Sequence, residues 1–470
     1  MNCVDLVLSA IKKKPEKIAI HMIRGEQASF RDLEVIAKKT QALMVEKGVK
    51  KGDQVLLFIP LSPELYGTII GLAAMGVSAL LVEPWMQVAK INRLIEKIKP
   101  KAFITGNLGL MWGLRSRGVR GIKHWVLVKS INQMIGVNEL RVVGLDDEAP
   151  AIITFTSGTT GEPKGMVRSH RYLVDQHRIL SSSLGGVEGA DLCIFANFAL
   201  ANLASGRSSV IIPPKWKVKD LNALDQLPPD IAPESLTCGP GFLLKLMKYA
   251  NIPSLKSIHV GGALTDCWIF EHAFDKWPAA HFTHLYGSTE AEPVALADAR
   301  VAVKKSRDAG FFQTVFLGKP IEPIKHRVES DTVWISGPHV CPKYLYNQEE
   351  NLKNKYTDHE GRVWHRMGDR ILQDEGQWWY RGRSGQNESA FLDEQRIYKA
   401  LGSSAGFIEQ QGSMPTYFGQ NVHLQKDLIQ KTLPELRSIK SIKIRRDSRH
   451  KARIDRAASI RSQSLLGRIL

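Results

Sequence analysis

The chain has 470 residues, room for two or more folding units, and its 43% hydrophobic and 24% charged residues are ordinary for a globular protein. Its five cysteines (Cys3, Cys193, Cys238, Cys267, Cys341) are scattered and form no CxxC pair, which argues against a zinc ribbon or a disulfide frame and fits a reducing cytosol. The formal net charge of +17 admits a solvated basic surface, attraction to anionic small molecules or a membrane face, or nucleic-acid binding, and no nucleic-acid motif supports the last.

Residues 1–17 read as an amphipathic helix stopped near Pro15. Their apolar part precedes their lysines, the reverse of a secretory signal, so a cytoplasmic location is expected. Residues 19–23 and 28–30 read as strands. Residues 31–47 read as a helix with Leu33, Ile36, Ala37, Leu43 and Met44 on its apolar face. A turn at 48–53 leads to a buried strand at 54–60, and 65–75, apolar all round, to a buried helix. A strand at 77–82, a helix at 88–97 and strands at 102–104 and 125–129 follow. Strands alternating with helices argue for an α/β protein with a largely parallel, covered sheet. No apolar run approaches the ~20 residues that span a bilayer.

Residues 151–153 are a short apolar run, read as a buried strand. They enter Thr154-Phe155-Thr156-Ser157-Gly158-Thr159-Thr160-Gly161-Glu162-Pro163-Lys164-Gly165. The glycines let a backbone approach a ligand closely. Bare N–H groups and the hydroxyls of Thr156, Ser157, Thr159 and Thr160 can then wrap phosphate oxygens, with Lys164 as a point charge. The order differs from GxxxxGK[ST], because Pro163 precedes the lysine and Gly165 follows it. The string TSGTTGEPKG resembles the phosphate loop of the adenylate-forming superfamily, which includes acyl-CoA synthetases, peptide-synthetase adenylation domains and luciferases.

That resemblance organises the rest of the chain. Residues 191–214 are rich in small side chains; where many superfamily members carry a histidine, this chain has Phe198-Ala199-Leu200, which reads either as the wall of an apolar acyl pocket or as close packing. A strand at 257–260 enters the turn Gly261-Gly262-Ala263, which in the superfamily packs against adenine; glycines make a wall without side chains. THLYGSTEAEP at 283–293 resembles the YGxTE signature. It implies a nucleotide contact along Tyr286, Gly287, Ser288 and Thr289, with Tyr286 an aromatic face for adenine, Thr289 a hydroxyl for the α-phosphate, and Glu290 a hard oxygen for Mg²⁺. MGDRILQDEGQWWYRGR resembles TGDxxxxDxxGxxxxxGR and implies that Asp369 and Arg383 meet the ribose. The longer run YGSTEAEPVA is similar to the olefin-pathway β-lactone synthetase branch. His281 and His284 read as packing or hydrogen-bonding residues, since two histidines do not close a metal site.

Beyond Arg383 the resemblance weakens. Ser384-Gly385-Gln386-Asn387-Glu388 replaces the usual acidic hinge. Residues 402–406 and 412–419 read as loop-rich, 424–433 as a helix and 439–444 as a basic strand. The superfamily closes on a lysine that bridges the substrate carboxylate and the α-phosphate. Aligned on Ile454-Asp455-Arg456, that position holds Arg453, with Lys451 two residues earlier on the same face of a strand. Arginine keeps the charge but loses the compact ammonium.

The expected protein is therefore a large multi-sheet α/β N-terminal domain at 1–383 with a small α+β lid at 384–470. The resemblance implies ATP-dependent activation of a carboxylic acid, a fatty or 3-hydroxy fatty acid, as its acyl-adenylate with Mg²⁺, then transfer to coenzyme A. Closure to a β-lactone without coenzyme A, and a catalytically impaired adenylate-binding protein, are the alternatives. The expected partners are a small-molecule acid and a peripheral membrane or acyl-donor protein contact, with no nucleic acid.

Overall fold

The computed structural model describes residues 2–82, 86–156, 164–213, 216–329, 332–385, 387–401, 406–411, 414–420, 422, 425–436, 438–444, 454, 456 and 459–460. The expected alternation is present. The helix Phe30–Glu46 starts in a reciprocal cap, with the Ser29 hydroxyl accepting the Asp32 N–H at 3.1 Å and the Asp32 carboxylate accepting the Ser29 N–H at 2.8 Å. The helix Pro63–Ala74 is capped by Ser62, opens on a proline and is buried on every side except at Glu64. These two helices approach closely because Gly67 and Gly71 lack side chains. A Cβ on Gly71 would lie 2.6 Å from the Ala37 carbonyl oxygen.

Two large sheets carry the site. The first has seven strands in the order Tyr344–Leu345, Lys164–Ser169, Pro150–Thr156, Ser78–Leu81, Gln54–Phe58, Ala102–Thr105, His124–Leu127. It is parallel from 150–156 to 124–127 and antiparallel on the other side. The second has eleven strands: Gln27–Ser29, Ile18–Met22, Ser209–Ile211, Ala190–Cys193, Pro233–Cys238, Ser257–Val260, His281–Ser288, Ala291–Asp298, Phe316–Pro320, Gln377–Arg383, Asp369–Asp374. Its parallel run from 18–22 to 281–288 alternates sharply. Leu192, Leu236, Ile258 and Phe282 enter a large apolar core. The intervening residues on the other face include Asp191, Ser235, Thr237, Ser257, His259 and Thr283.

Two expectations need correction, and one element is new. The strand near 125–129 ends at Leu127 and gives way to the helix Val128–Gln133, whose Ile131 is buried. The loop-rich stretches around 406 and 412–419 form a hairpin, Gly406–Gln411 with Met414–Gly419, joined by Ser438–Ser441. Its glycines sit at strand ends, while Phe407 and Phe418 stack on one side and Ile408 and Tyr417 bury on the other. Ahead of it lies an unforeseen helix, Glu388–Leu401, that buries Phe391, Ile397 and Tyr398. Among the described residues, no helix is long and apolar enough to cross a membrane.

Candidate active site

The glycine-rich loop closes a hairpin: Thr156 pairs with Lys164 across the strands Pro150–Thr156 and Lys164–Ser169. Ser157, Gly158, Thr159, Thr160 and Gly161 lie outside the described residues, as does the side chain of Thr156. On the returning strand Arg168 donates to the Thr154 hydroxyl at 2.6 Å and to the Thr289 carbonyl at 3.3 Å. One guanidinium thus joins the loop hairpin to the turn between His281–Ser288 and Ala291–Asp298.

Lys164 leaves the loop to form an ion pair with Glu350, and its ammonium stands 5.3 Å from the centre of the Tyr344 ring. Lys355 lies over the same ring at 5.0 Å and donates to the Cys341 carbonyl. The Tyr344 hydroxyl donates to Glu290 Oε1 at 2.8 Å. Burial works against the charge on Glu290, but its surroundings, the Tyr344 hydroxyl and Lys355 among them, outweigh it and hold the carboxyl below its ordinary range. His365 is itself pushed down by burial and then by Lys355, so its imidazole is neutral. The hydroxyl and Lys355 are therefore what keep Glu290 ionised. No described residue donates a hydrogen bond to its Oε2.

Four residues before Glu290 on the same hairpin, Tyr286 is buried and its hydroxyl donates to Asp369 Oδ2 at 2.6 Å. Arg383 Nε meets Asp369 Oδ1 at 3.1 Å. Asp369 and Arg383 face each other because the strands Asp369–Asp374 and Gln377–Arg383 form a hairpin, closed by Glu375 and Gly376 at φ +47° and +73°. The hairpin buries Asp369 to 8% exposure. Burial, and then the Asp369 charge, raise the Tyr286 phenol well above its usual range, so it stays a donor. Gly287 folds tightly, since a Cβ there would lie 2.9 Å from the Ala291 oxygen. The Ser288 hydroxyl accepts the Glu290 N–H at 3.3 Å and lies 3.8 Å from the Met367 sulfur. Gly261, Gly262 and Ala263 follow the strand Ser257–Val260, two strands' width from Ala291–Asp298, with Gly262 at φ +79°.

The structure thus brings Lys164, Glu290, Tyr286, Asp369 and Arg383 into one run of contacts. Lys451 and Arg453 lie outside the described residues. Arg456, close behind them, pairs with Glu394 at 2.8 Å and donates to the Ile408 carbonyl at 3.1 Å. Arg168, Tyr344, Glu350, Lys355 and His365 escaped the sequence reading. They sit in stretches such as KYLYNQEENLKNKYT that carry no motif. His284 is buried and bonds the Phe316 carbonyl, as expected of a packing or hydrogen-bonding residue, whereas His281 is exposed and faces Asp298 at 3.7 Å. Among the described residues no group of three or more His, Cys, Asp or Glu side chains could hold a metal ion by itself.

A two-sheet α/β body with Lys164 over the Tyr344 ring, an ionised carboxylate bonded to that tyrosine and an Asp–Arg–Tyr cluster on an adjoining edge suits a nucleotide-using enzyme. The chain belongs to the AMP-binding enzyme family, whose model matches residues 8–345. It is an adenylate-forming ligase that activates carboxylic acids. An olefin beta-lactone synthetase from Stenotrophomonas maltophilia (strain K279a) is 25% identical over 401 residues, 76% of this chain and 72% of the relative. A 4-coumarate–CoA ligase-like protein from Arabidopsis thaliana is also 25% identical, over 412 residues, 77% of this chain and 70% of the relative. The fold is that of an anthranilate CoA ligase in complex with anthranoyl-AMP (TM-score 0.82, 16% identity, 100% of this chain and 98% of that one). It is also that of an O-succinylbenzoate coenzyme A synthetase from Bacillus subtilis in complex with AMP (TM-score 0.78, 17% identity, 95% and 96% covered).

Proposed function

We propose that the protein activates a fatty or 3-hydroxy fatty acid with ATP and transfers the acyl group to coenzyme A. The observation that carries this reading is the hairpin His281–Asp298. It holds Glu290 against the Lys164–Tyr344 cluster and Tyr286 against the Asp369–Arg383 pair. A triphosphate laid along it would meet the lysine loop at one end and the ribose carboxylate at the other.

In the first step a carboxylate oxygen of the acid attacks the α-phosphorus. The new P–O bond forms as the α–β bridge breaks, and pyrophosphate leaves. The nucleophile is already ionised, so no general base is needed, and the protein supplies position and charge neutralisation. Residues 156–164 would hold the β- and γ-phosphates, Thr289 with Lys451 or Arg453 the α-phosphate, and Gly261, Gly262, Ala263 and Tyr286 the adenine. Asp369 accepts from Tyr286 and Arg383, which leaves about two of its four lone-pair directions for ribose hydroxyls. Glu290 suits Mg²⁺: it is one ionised carboxylate with Oε2 undonated by described residues, and Mg²⁺ takes one or two carboxylates beside phosphate oxygens. Bound there, the ion would offset the charge that builds on the departing pyrophosphate. Residues 384–470 would serve as the small domain that completes the site.

A second reading, closure of a 3-hydroxyacyl-adenylate to a β-lactone, has support in Phe198-Ala199-Leu200 standing where a histidine is usual and in the similarity to olefin beta-lactone synthetases. Carboxylate-dependent ATP–pyrophosphate exchange tests the shared first step. A thioester formed only with coenzyme A supports transfer, and a lactone formed without it supports closure. No exchange with any acid would point to an impaired enzyme, with Arg453 at the lysine position as the first suspect.

A further inference from the structure

A cavity of about 150 Å³ lies between the helices His170–Leu184 and Ala196–Ser205 and the parallel part of the eleven-stranded sheet. Both helices are tied to the catalytic hairpin, the first at mid-length and the second near its start. Gln176 donates to the Glu292 carbonyl at 3.1 Å and Asn197 to the Glu292 carboxylate at 3.3 Å. From these two residues each helix runs one to two turns, about 6–12 Å, to its cavity-lining residues: Leu180 and Leu184 on one, Ala201 and Ser205 on the other. The two helices therefore run from Glu292, two residues beyond Glu290, to the cavity. The sheet leads the same way. His259 precedes Gly261 by two residues on one strand path, about 7 Å, and alternation puts both on the same side.

The helix side of this cavity is mixed, with Leu180, Leu184, Phe198 and Ala201 standing beside Ser181, Asn202 and Ser205, and its floor is polar. A parallel sheet covered by helices is normally apolar on both faces. Here Asp191, Ser235, Thr237 and His259 line the cavity, while Leu192, Leu236 and Ile258 fill the opposite core. The charges in the floor cancel within it. Asp191 accepts from Ser235 and from Asn202 at 3.0 Å; Arg207 donates to Ser235 at 2.8 Å and to the Gly189 carbonyl at 3.2 Å. Two polar atoms are left over. His259 Nδ1 is buried without a hydrogen-bond partner, its Nε2 being 3.1 Å from the Ser257 hydroxyl, and the imidazole is only 4% exposed. The Thr237 hydroxyl has no hydrogen bond to a described residue. The two are register partners on adjacent strands, so they form a two-point site.

We infer that this cavity receives the far end of the acyl substrate and that this end carries a neutral hydrogen-bonding group, a hydroxyl or a carboxamide, held by His259 and Thr237. A plain alkyl end would leave both polar atoms buried and unpaired. A carboxylate end would meet the Asp191 carboxylate across a floor that is already neutral. The inference rests on the adenylation reading above and narrows its substrate to acids with a polar remote end.

The test is pyrophosphate exchange with matched pairs of acids of graded length, from hexanoate to dodecanoate, each as the plain acid, the ω-hydroxy acid and the dicarboxylate. At the length that fills the cavity, the ω-hydroxy acid should exceed the plain acid at least tenfold in kcat/KM, because a buried polar site discriminates strongly against a partner that cannot bond it. The isosteric Thr237→Val should cut that ratio at least fivefold through a loss on the ω-hydroxy acid, and His259→Leu should cut it further; AMP binding and the thermal midpoint report whether each variant is folded. Equal rates on plain and ω-hydroxy acids at every length, a preference for the dicarboxylate, or a ratio unchanged in a folded Thr237→Val would overturn the inference and leave adenylation standing. Exchange with no acid at all would remove the adenylation reading, and this inference with it.

Discussion

Replacing Asp369 by Asn asks the sharpest question of the nucleotide site. The carboxylate takes the Tyr286 hydroxyl on Oδ2 at 2.6 Å and the Arg383 Nε on Oδ1 at 3.1 Å. Asparagine keeps the shape but offers one acceptor oxygen and an NH₂ group. Two protein donors then compete for a single oxygen, and ribose hydroxyls lose a charged acceptor. Hydrogen bonds to a charged group are worth about 1.5–3 kcal/mol against about 1 for neutral pairs, so the nucleotide should lose about 1–3 kcal/mol, roughly a 5- to 150-fold rise in Kd. Calorimetric titration with AMP measures this directly. The control is the dideoxy nucleotide lacking both ribose hydroxyls. It should bind the wild type weakly and lose at most about twofold more in Asp369→Asn, because the two changes remove the same interaction. If Asp369→Asn binds AMP as the wild type does, or loses AMP and dideoxy-AMP equally, Asp369 is not the ribose acceptor.

Four further outcomes are expected. Lys164→Ala removes the cation from a pair whose Glu350 side chain is only 7% exposed; it should cost about 3–5 kcal/mol in urea unfolding, and Lys164→Ala with Glu350→Gln should recover most of that without restoring exchange. Tyr344→Phe keeps the ring beneath both lysines but removes the donor to Glu290, so the acid limb of the exchange rate should move up by about one pH unit; an unmoved limb refutes the assignment. Burial pushes His170, His259 and His284 down to about 4, below the unfolded value near 6.5. The unfolded chain then binds more protons between those values, so stability should be full above pH 6.5 and fall toward pH 4, by up to about 3 kcal/mol per histidine, and a urea midpoint constant across that window would contradict it. Gly262→Ala places a Cβ in open space at φ +79°, so its cost to folding should be about 1–2 kcal/mol, and KM for ATP should rise if the turn lies against adenine.

The parts of the molecule legible in the sequence are those where one local pattern decides the outcome. The helix Pro63–Ala74 is apolar all round and is buried all round. The loop, the YGSTE turn and the Asp369 hairpin announce themselves because glycines and hydroxyls at fixed spacing have few other uses. What stayed hidden depends on distance in the chain. Lys355 reaches Tyr344, and Tyr344 reaches Glu290 from 54 residues away, through a short edge strand with no motif. The strands Gly406–Gln411 and Met414–Gly419 read as loop from the glycines around them, whereas the structure pairs them with Phe407 and Phe418 stacked at 5.4 Å.

On the proposed reading, the hairpin His281–Asp298 serves the nucleotide site and the acid site together. Within seven residues it presents Tyr286 to Asp369, Glu290 to Tyr344, and Glu292 to both Gln176 and Asn197. Side chains alternate across a strand, so one short segment can face a nucleotide on one side and the acyl seam on the other. Its turn is held from a third direction by Arg168, which also grips the phosphate-loop strand at Thr154. A displacement of the strand Lys164–Ser169 would therefore be felt at Thr289 through a single guanidinium, and at Glu290 through Lys164 and the Tyr344 ring. Positioning the attacking carboxylate against the α-phosphorus requires a tolerance of well under an ångström, and a hairpin braced at three points supplies that where a free loop does not.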